Sequence, residues 1–144
     1  MTVFVCLRCR EVLTEELSEV PFQELSEPTA PCDLEPGQTC PPWLARGMFA
    51  VDPDPYGPPF VPHATNDHWL ISAGPSCTVL INPDDLLVRR AHPDVLRRVG
   101  CCGPSGIDGP NLVCGCGAEI ATEVADCWTG QVIRLEPAAV MRPS

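Results

Sequence analysis

The chain has 144 residues, which suits one domain, and it is 44% apolar but only 6% aromatic. Its formal net charge of −10 repels a phosphate backbone, so nucleic acid is disfavoured as a partner. No stretch approaches the ~20 consecutive apolar residues of a membrane-spanning helix, and residues 1–5 lack the basic region that opens a signal peptide. We therefore expect a cytoplasmic protein without a membrane contact.

The 18 prolines and 11 glycines set the expected architecture. They favour short strands joined by long ordered loops over long helices. We expect a mainly β protein, of the small α+β kind, with one or two short helices. We also expect a single domain over residues 1–144. In it, an N-terminal knuckle over 3–16 and a C-terminal knuckle and hairpin over 100–137 enclose a proline- and glycine-rich insertion over 17–99.

The predicted strands of the first half begin at the N-terminus. Residues 3–5 and 11–14 are apolar stretches that predict a hairpin with Cys6 and Cys9 at its turn. Residues 48–51 predict a further strand, which ends where a run of prolines begins.

A second hairpin is predicted in the middle of the chain. Residues 69–72 and 77–81 are strand-forming stretches that flank a Gly-Pro-Ser turn sequence. Residues 118–122 and 131–136 predict the final strands.

Two short helices are predicted between residues 83 and 98. Asn82 is a side-chain cap, Pro83 fits the first helical position, and two acidic residues follow in the first turn. A second start lies at Asp94, after His92 and Pro93. We expect each helix to be a few turns long.

Two distant segments read as versions of one another, and both are built around close cysteines. Residues 4–9 read FVCLRC and residues 112–117 read LVCGCG, and each is followed by an apolar-Thr-Glu sequence. Four thiolates are the ligand number that a tetrahedral zinc ion needs. In a reducing compartment such spacing indicates metal binding rather than disulfides. The predicted metal ligands are Cys6, Cys9, Cys114 and Cys116, with zinc favoured over iron.

The second cysteine pair is one residue shorter than the usual spacing, which leaves alternatives open. Cys102 or Cys127 could replace Cys114 as a ligand. Cys101 and Cys102 are adjacent, and with Cys127 they allow three interpretations. These are a second metal site with one more ligand, a thiol switch, or one ligand beside two buried side chains.

The pairing of the two cysteine segments resembles the zinc-ribbon family over residues 3–16 and 110–136. In that family two cysteine-bearing hairpins meet on one zinc ion. The resemblance implies ligand roles for the four cysteines of the two segments. Residues 101–114, CCGPSGIDGPNLVC, are similar to uncharacterised cysteine-rich proteins of actinobacteria. This second resemblance implies an origin, in line with a chain whose cationic residues are all arginine, but no activity.

Three functions follow from these patterns as hypotheses. The first is an interaction module with structural zinc and a protein partner, because the paired knuckles come without catalytic residues. The second is a thiol-based redox or metal sensor that uses Cys101 and Cys102. The third is a cysteine-dependent enzyme with His68 as base and Cys77 as nucleophile; it is disfavoured, because the chain carries no Gly-x-Ser-x-Gly, phosphate-loop or His-Glu-x-x-His motif.

The basic residues form one dense cluster, Arg89, Arg90, Arg97 and Arg98. The acidic stretch over 11–35 is expected to be a solvated surface. The arginines either stay solvated or complement such an acidic surface on another molecule.

Overall fold

The computed structural model describes residues 1–143 and shows a fold made of short strands. The strands are β1 (Val5–Cys6), β2 (Ser18–Glu19), β3 (Met48–Asp52), β4 (Phe60–Pro62), β5 (Leu70–Ser72), β6 (Thr78–Ile81), β7 (Arg90–Ala91), β8 (Leu112–Val113), β9 (Glu119–Val124), β10 (Val132–Leu135) and β11 (Val140–Met141). The expected mainly β class is confirmed. Within the described residues, no helix is long and apolar enough to cross a membrane.

Seven of the strands form one sheet in the order β2-β3-β6-β10-β9-β8-β7. Its middle is antiparallel, with β6 between β3 and β10 and with β10 also paired to β9. Only β2 runs parallel to its neighbour β3. The strands predicted over 48–51, 118–122 and 131–136 therefore exist, with slightly different ends.

The two faces of this sheet carry two separate apolar clusters. Phe49, Ile81 and Ile133 are cross-strand neighbours, fully buried, and belong to the larger cluster. Ala50 and Leu80 are the next residues along their strands and belong to the smaller cluster. This alternation is what the two-residue period of a strand dictates. The larger cluster includes buried cysteines from both knuckles, so both knuckles are anchored in one core.

The N-terminal hairpin predicted from the sequence is confirmed. Val5 forms an antiparallel bridge to Val12, and the Leu13 N–H donates to the Phe4 carbonyl over 2.8 Å. The Phe4 ring packs edge-on against Phe49 with their centroids 5.0 Å apart, which fixes the hairpin on the sheet. Strand β11, which the sequence analysis did not predict, covers the other edge of β1.

The predicted hairpin in the middle of the chain is wrong in its pairing. Strand β5 pairs with β4, in a separate two-stranded sheet, whereas β6 pairs with β3 and β10. The Gly-Pro-Ser sequence, which was expected to form the turn of this hairpin, packs against the loop that contains Tyr56. A Cβ atom on Gly74 would lie 2.0 Å from the Tyr56 carbonyl oxygen, and Cys77 has a left-handed φ of 67°.

The predicted helices are wrong in length, because each is a single turn of 3-10 helix. The turns cover Pro83–Asp85 and Val95–Arg98, and two further such turns cover Phe22–Glu24 and Pro31–Asp33. The predicted cap does form, since the Asn82 side chain accepts the Asp84 N–H over 2.8 Å. The chain must then extend, because Leu86 is buried and bridges to Thr14 of the N-terminal hairpin.

The proposed insertion over 17–99 supplies strands to the same sheet as the C-terminal part. Strands β3 and β6 come from the insertion, and β10 pairs directly with β6. The division into knuckles and insertion stays a prediction.

Candidate metal centre

The N-terminal knuckle is a turn closed by two backbone hydrogen bonds around Cys6. The Cys6 N–H donates to the Glu11 carbonyl over 2.8 Å, and the Arg10 N–H donates to the Cys6 carbonyl over 2.9 Å. Pairing of β1 with β11 holds Cys6 from the other side. The position of this cysteine is therefore set by the sheet, and the turn carries Cys9 back over it.

The C-terminal knuckle repeats this closure with one residue fewer. The Cys114 N–H donates to the Ala118 carbonyl over 2.9 Å, and the Gly117 N–H donates to the Cys114 carbonyl over 2.8 Å. Each acceptor outside the turn lies two residues after the second cysteine, as in the N-terminal knuckle. The missing residue is thus one between Cys114 and Cys116, and the hydrogen bonds that close the turn are the same in both knuckles.

Both knuckles place the residue after the second cysteine in the left-handed region. Arg10 has a φ of 68° and Gly117 a φ of 90°. Glycine adopts this conformation without steric cost, whereas arginine does so against its preference. The repeat seen in the sequence is therefore also a repeat of backbone conformation.

The four sulfurs of the two knuckles converge on one point. We call Cys6, Cys9, Cys114 and Cys116 the four-cysteine group. Its sulfurs all lie within 4.8 Å of one another, with 3.7 Å between those of Cys6 and Cys116 and 3.5 Å between those of Cys9 and Cys114. A tetrahedron with metal–sulfur bonds of ~2.3 Å needs sulfurs about 3.8 Å apart. The group could therefore hold a metal ion with little movement.

The thiols of this group differ in burial and in acidity. Cys6 and Cys114 are buried, Cys116 is half-buried and Cys9 is exposed. The backbone N–H of Ala118 lowers the pKa of Cys116 to about 7. Burial raises the pKa of Cys114. The Glu11 N–H lowers the pKa of Cys9, but the neighbouring thiols, Cys114 first, outweigh it and raise that pKa to about 12. Without a cation, neighbouring thiols resist being deprotonated together, because the thiolates repel one another.

A groove of about 290 Å³ opens beside the group and is lined by Cys9, Glu11 and Arg90 among others. The Arg90 guanidinium donates to the Gly115 carbonyl inside the C-terminal knuckle over 3.4 Å. This places one cationic side chain next to the sulfurs, where it offsets part of the negative charge of a four-thiolate site.

The cysteines considered as substitutes for Cys114 lie elsewhere. Cys101, Cys102 and Cys127 form a second group, which we call the three-cysteine group, with sulfurs within 4.8 Å of one another. The structure thus brings Cys114 to the four-cysteine group and brings Cys102 and Cys127 to the other.

His68 and Cys77 are not brought together as an acid–base pair. The His68 backbone N–H donates to the Asn66 side chain in the turn between β4 and β5. Cys77 lines a cavity of about 240 Å³ with Val51 and Arg142. Among residues 1–143, no hydrogen bond connects the imidazole of His68 to the thiol of Cys77.

The dense basic cluster is largely paired within the chain. Arg89 and Arg98 both donate to the Glu123 carboxylate, and Arg97 donates to Glu119. These ion pairs connect the loop over 89–98 to strand β9. The acids that complement the arginines therefore come from β9 and not from the stretch over 11–35.

Sequence reasoning missed Asp126, which organises the three-cysteine group. It also missed Arg134, a buried cation on β10 paired with Asp52 over 2.7 Å. A local signal for Asp126 was the Asp-x-x-Thr sequence, in which the Thr129 hydroxyl accepts the Asp126 N–H over 3.0 Å. Nothing in the local sequence pointed to Arg134.

A four-thiolate site is coordinatively closed, so a metal there has no open position for a substrate or a water molecule. The chemistry that the group offers is cross-linking of two distant hairpins. No protein-family model, no curated protein and no solved structure matches this chain, so the functional inference rests on the cysteine geometry.

Proposed function

We propose that the protein is an interaction module whose structural zinc ion is held by the four-cysteine group. The observation that carries the proposal is the crossed contact of sulfurs from the two knuckles, at 3.5 and 3.7 Å. Each contact joins one cysteine of each knuckle, so an ion among these sulfurs would link the two knuckles. Zinc is favoured over iron because a closed cross-link needs no redox chemistry, and zinc has none.

A structural role follows from where the group lies. It joins segments 105 residues apart, from Cys9 to Cys114, and its buried members belong to the larger core cluster. A metal at this position closes a long loop in a chain with little helical structure.

The interaction role is supported by the two-stranded sheet of β4 and β5. It lies outside the seven-stranded sheet and exposes five large apolar side chains. These are Phe60, Val61, Trp69, Leu70 and Ile71. A lone hairpin is marginally stable in water, and a concentration of exposed large apolar side chains is typical of a protein-contact surface. Between residues 58 and 73 only Asp67 is formally charged, which favours an apolar protein surface as partner over nucleic acid.

Metal analysis tests the zinc half of the proposal. Reduced protein purified without a chelator is expected to carry zinc in native mass spectrometry, and cobalt exchanged into the four-cysteine group should give the spectrum of a tetrahedral four-thiolate site. Cys116→Ser is expected to abolish that spectrum, whereas Cys77→Ser, at an exposed cysteine outside both groups, should leave it unchanged. A fully folded, metal-free wild-type protein would refute the proposal.

A matched pair of surface variants tests the interaction half. Leu70→Ser alters the β4–β5 sheet, and Leu87→Ser alters an exposed leucine elsewhere, 66% and 53% exposed respectively. A protein retained by the immobilised wild-type chain is expected to be lost with Leu70→Ser and kept with Leu87→Ser, at equal metal content. Equal retention by both variants would remove this sheet as the contact surface.

A thiol sensor using Cys101 and Cys102 is the second candidate function. Both side chains are exposed, and both lie within 4.8 Å of the Cys127 sulfur. Diamide would take two hydrogen atoms from two of these thiols, leaving one disulfide and the reduced hydrazine. The sensor hypothesis expects this oxidation to change the bound metal or the conformation, and Cys102→Ser to block the change. An unaltered metal content and spectrum after complete oxidation would reject it.

A further inference from the structure

The three-cysteine group is built from two loops that meet at the end of β9. Cys101 and Cys102 lie in the loop before β8, and Cys127 lies three residues after the end of β9. The sulfurs of Cys101 and Cys102 are 3.9 Å apart, and all three lie within 4.8 Å of one another. All three are free thiols, and the first two are exposed.

One buried carboxylate holds the backbone of all three cysteines. Asp126 is 1% exposed, and its two oxygens accept the N–H groups of Cys101, Cys102 and Cys127 over 3.0, 2.8 and 2.7 Å. The Trp128 indole N–H adds a fourth donor over 2.8 Å. The carboxylate is therefore fully occupied as an acceptor, which makes it a positioning group for the cysteines rather than a further ligand.

Two glycines allow the loop to approach this carboxylate. A Cβ atom on Gly100 would lie 1.7 Å from the Gly103 carbonyl oxygen, and one on Gly103 would lie 2.6 Å from the Ala125 carbonyl oxygen. Backbone packed this closely admits no side chain at either position. Close packing at these two glycines, which flank Cys101 and Cys102, therefore constrains the backbone of both cysteines over Asp126.

A disulfide can use only two of the three sulfurs of this group. Disulfide-bonded residues usually have Cα atoms 4.4–6.8 Å apart, whereas adjacent residues across a trans peptide are about 3.8 Å apart. Cys101 and Cys102 are adjacent, so one disulfide with Cys127 would leave the other sulfur unused. A metal ion, by contrast, engages all three sulfurs at once, and thiolate-only donor sets select thiophilic ions.

We propose that the three-cysteine group is a second metal site, which binds a thiophilic divalent cation such as Zn²⁺ or Cd²⁺ through three sulfurs and leaves a fourth position open. Cys32 approaches the group through its backbone, because its N–H donates to the Cys127 carbonyl over 2.7 Å. Its sulfur is exposed, contacts Asp33 and is not part of the group. The open position and the exposed sulfurs make this ion exchangeable, unlike an ion enclosed by the four-cysteine group.

Counting bound metal in the full chain tests the proposal. Native mass spectrometry of reduced protein supplied with Cd²⁺ is expected to show two ions per wild-type chain and one for Cys102→Ser, whose folded state is checked by near-ultraviolet circular dichroism. Cys77→Ser should keep two. A limiting amount of a chelator should remove one ion from the wild type without unfolding it. A single ion in the wild type that Cys102→Ser retains, or two ions in Cys102→Ser, would overturn the proposal.

The variants also separate this site from the zinc site of the proposed function. If only the three-cysteine group binds metal, Cys102→Ser removes all bound ions and Cys116→Ser none. Asp126→Asn keeps the size of the side chain but replaces one acceptor oxygen with a donor. It is expected to weaken binding of the exchangeable ion by at least about tenfold while the other ion is retained. Cys32→Ser is expected to leave both affinities unchanged, and loss of the exchangeable ion in that variant would refute the open fourth position.

Discussion

Removal of zinc from the four-cysteine group is expected to abolish the cooperative folded state. A metal ion held by this group would close a loop of 105 residues between Cys9 and Cys114. A covalent cross-link over such a loop is worth on the order of 4–5 kcal/mol, and total stabilities of small domains are about 5–15 kcal/mol. The metal–sulfur bonds add to this, because the unfolded chain does not preform the site. Few long elements remain to compensate, since the longest strand has six residues.

Chemical denaturation followed by circular dichroism would measure this effect. The zinc-loaded chain should unfold in one cooperative transition, whereas the chain treated with excess chelator should show none. Cys6→Ser is expected to behave like the metal-free chain even in the presence of zinc. Cys77→Ser should unfold like the wild type, within about 0.5 kcal/mol, because it changes an exposed side chain outside both groups. A cooperative transition of wild-type midpoint in the metal-free chain would contradict a structural role for the ion.

The four-cysteine group could be predicted because its information is local. Each knuckle needs two cysteines near a tight turn, and residues 4–9 and 112–117 show this pattern on their own. The uncertainty about Cys114 arose from counting residues between cysteines. The structure shows that the two knuckles share the hydrogen bond that closes the turn, from the Cys114 N–H to the Ala118 carbonyl in the second knuckle, and not the spacing of their cysteines. Two residues after the second cysteine, the same acceptor position appears in both knuckles.

Strand pairing was less predictable because it depends on competition between distant partners. Residues 69–72 and 77–81 do form strands, but β6 gains more burial between β3 and β10 than it would opposite β5. All four residues of β6 are buried, whereas β5 is exposed or half-buried. The true partner of β5 is hard to predict because a proline-rich run over 53–59 precedes it and Pro62 ends it. Proline is tolerated in such an edge strand.

The three-cysteine group lay beyond sequence reasoning for a different reason. Its geometry depends on one carboxylate, Asp126, that accepts hydrogen bonds from two loops 25 residues apart. Close packing at Gly100 and Gly103 is equally non-local. The sequence shows that Cys101, Cys102 and Cys127 are candidate ligands, but not that one carboxylate accepts hydrogen bonds from the backbone of all three.

Loss of the Asp52 carboxylate is the second change with a large expected effect. Arg134 on β10 is 8% exposed, and its guanidinium donates to Asp52 on β3 over 2.7 Å and to Thr78 on β6 over 3.0 Å. The guanidinium also lies 3.9 Å from the centre of the Tyr56 ring. This ion pair spans three neighbouring strands of the sheet, on the face opposite Phe49. Asp52→Ala leaves the buried cation without its counter-charge, which is expected to cost about 3–5 kcal/mol of unfolding free energy.

A double variant separates the value of the ion pair from the cost of an unpaired charge. Replacing a buried ion pair with apolar side chains is often neutral, whereas removing one partner is not. Asp52→Ala combined with Arg134→Met should therefore be more stable than Asp52→Ala alone, by at least about 1 kcal/mol in denaturant unfolding of the zinc-loaded chain. If Asp52→Ala cost less than about 1 kcal/mol, or if the second substitution added to the loss, the cation would not depend on Asp52. The expected recovery would show that Asp52 is needed to neutralise Arg134 rather than to hold the three strands together.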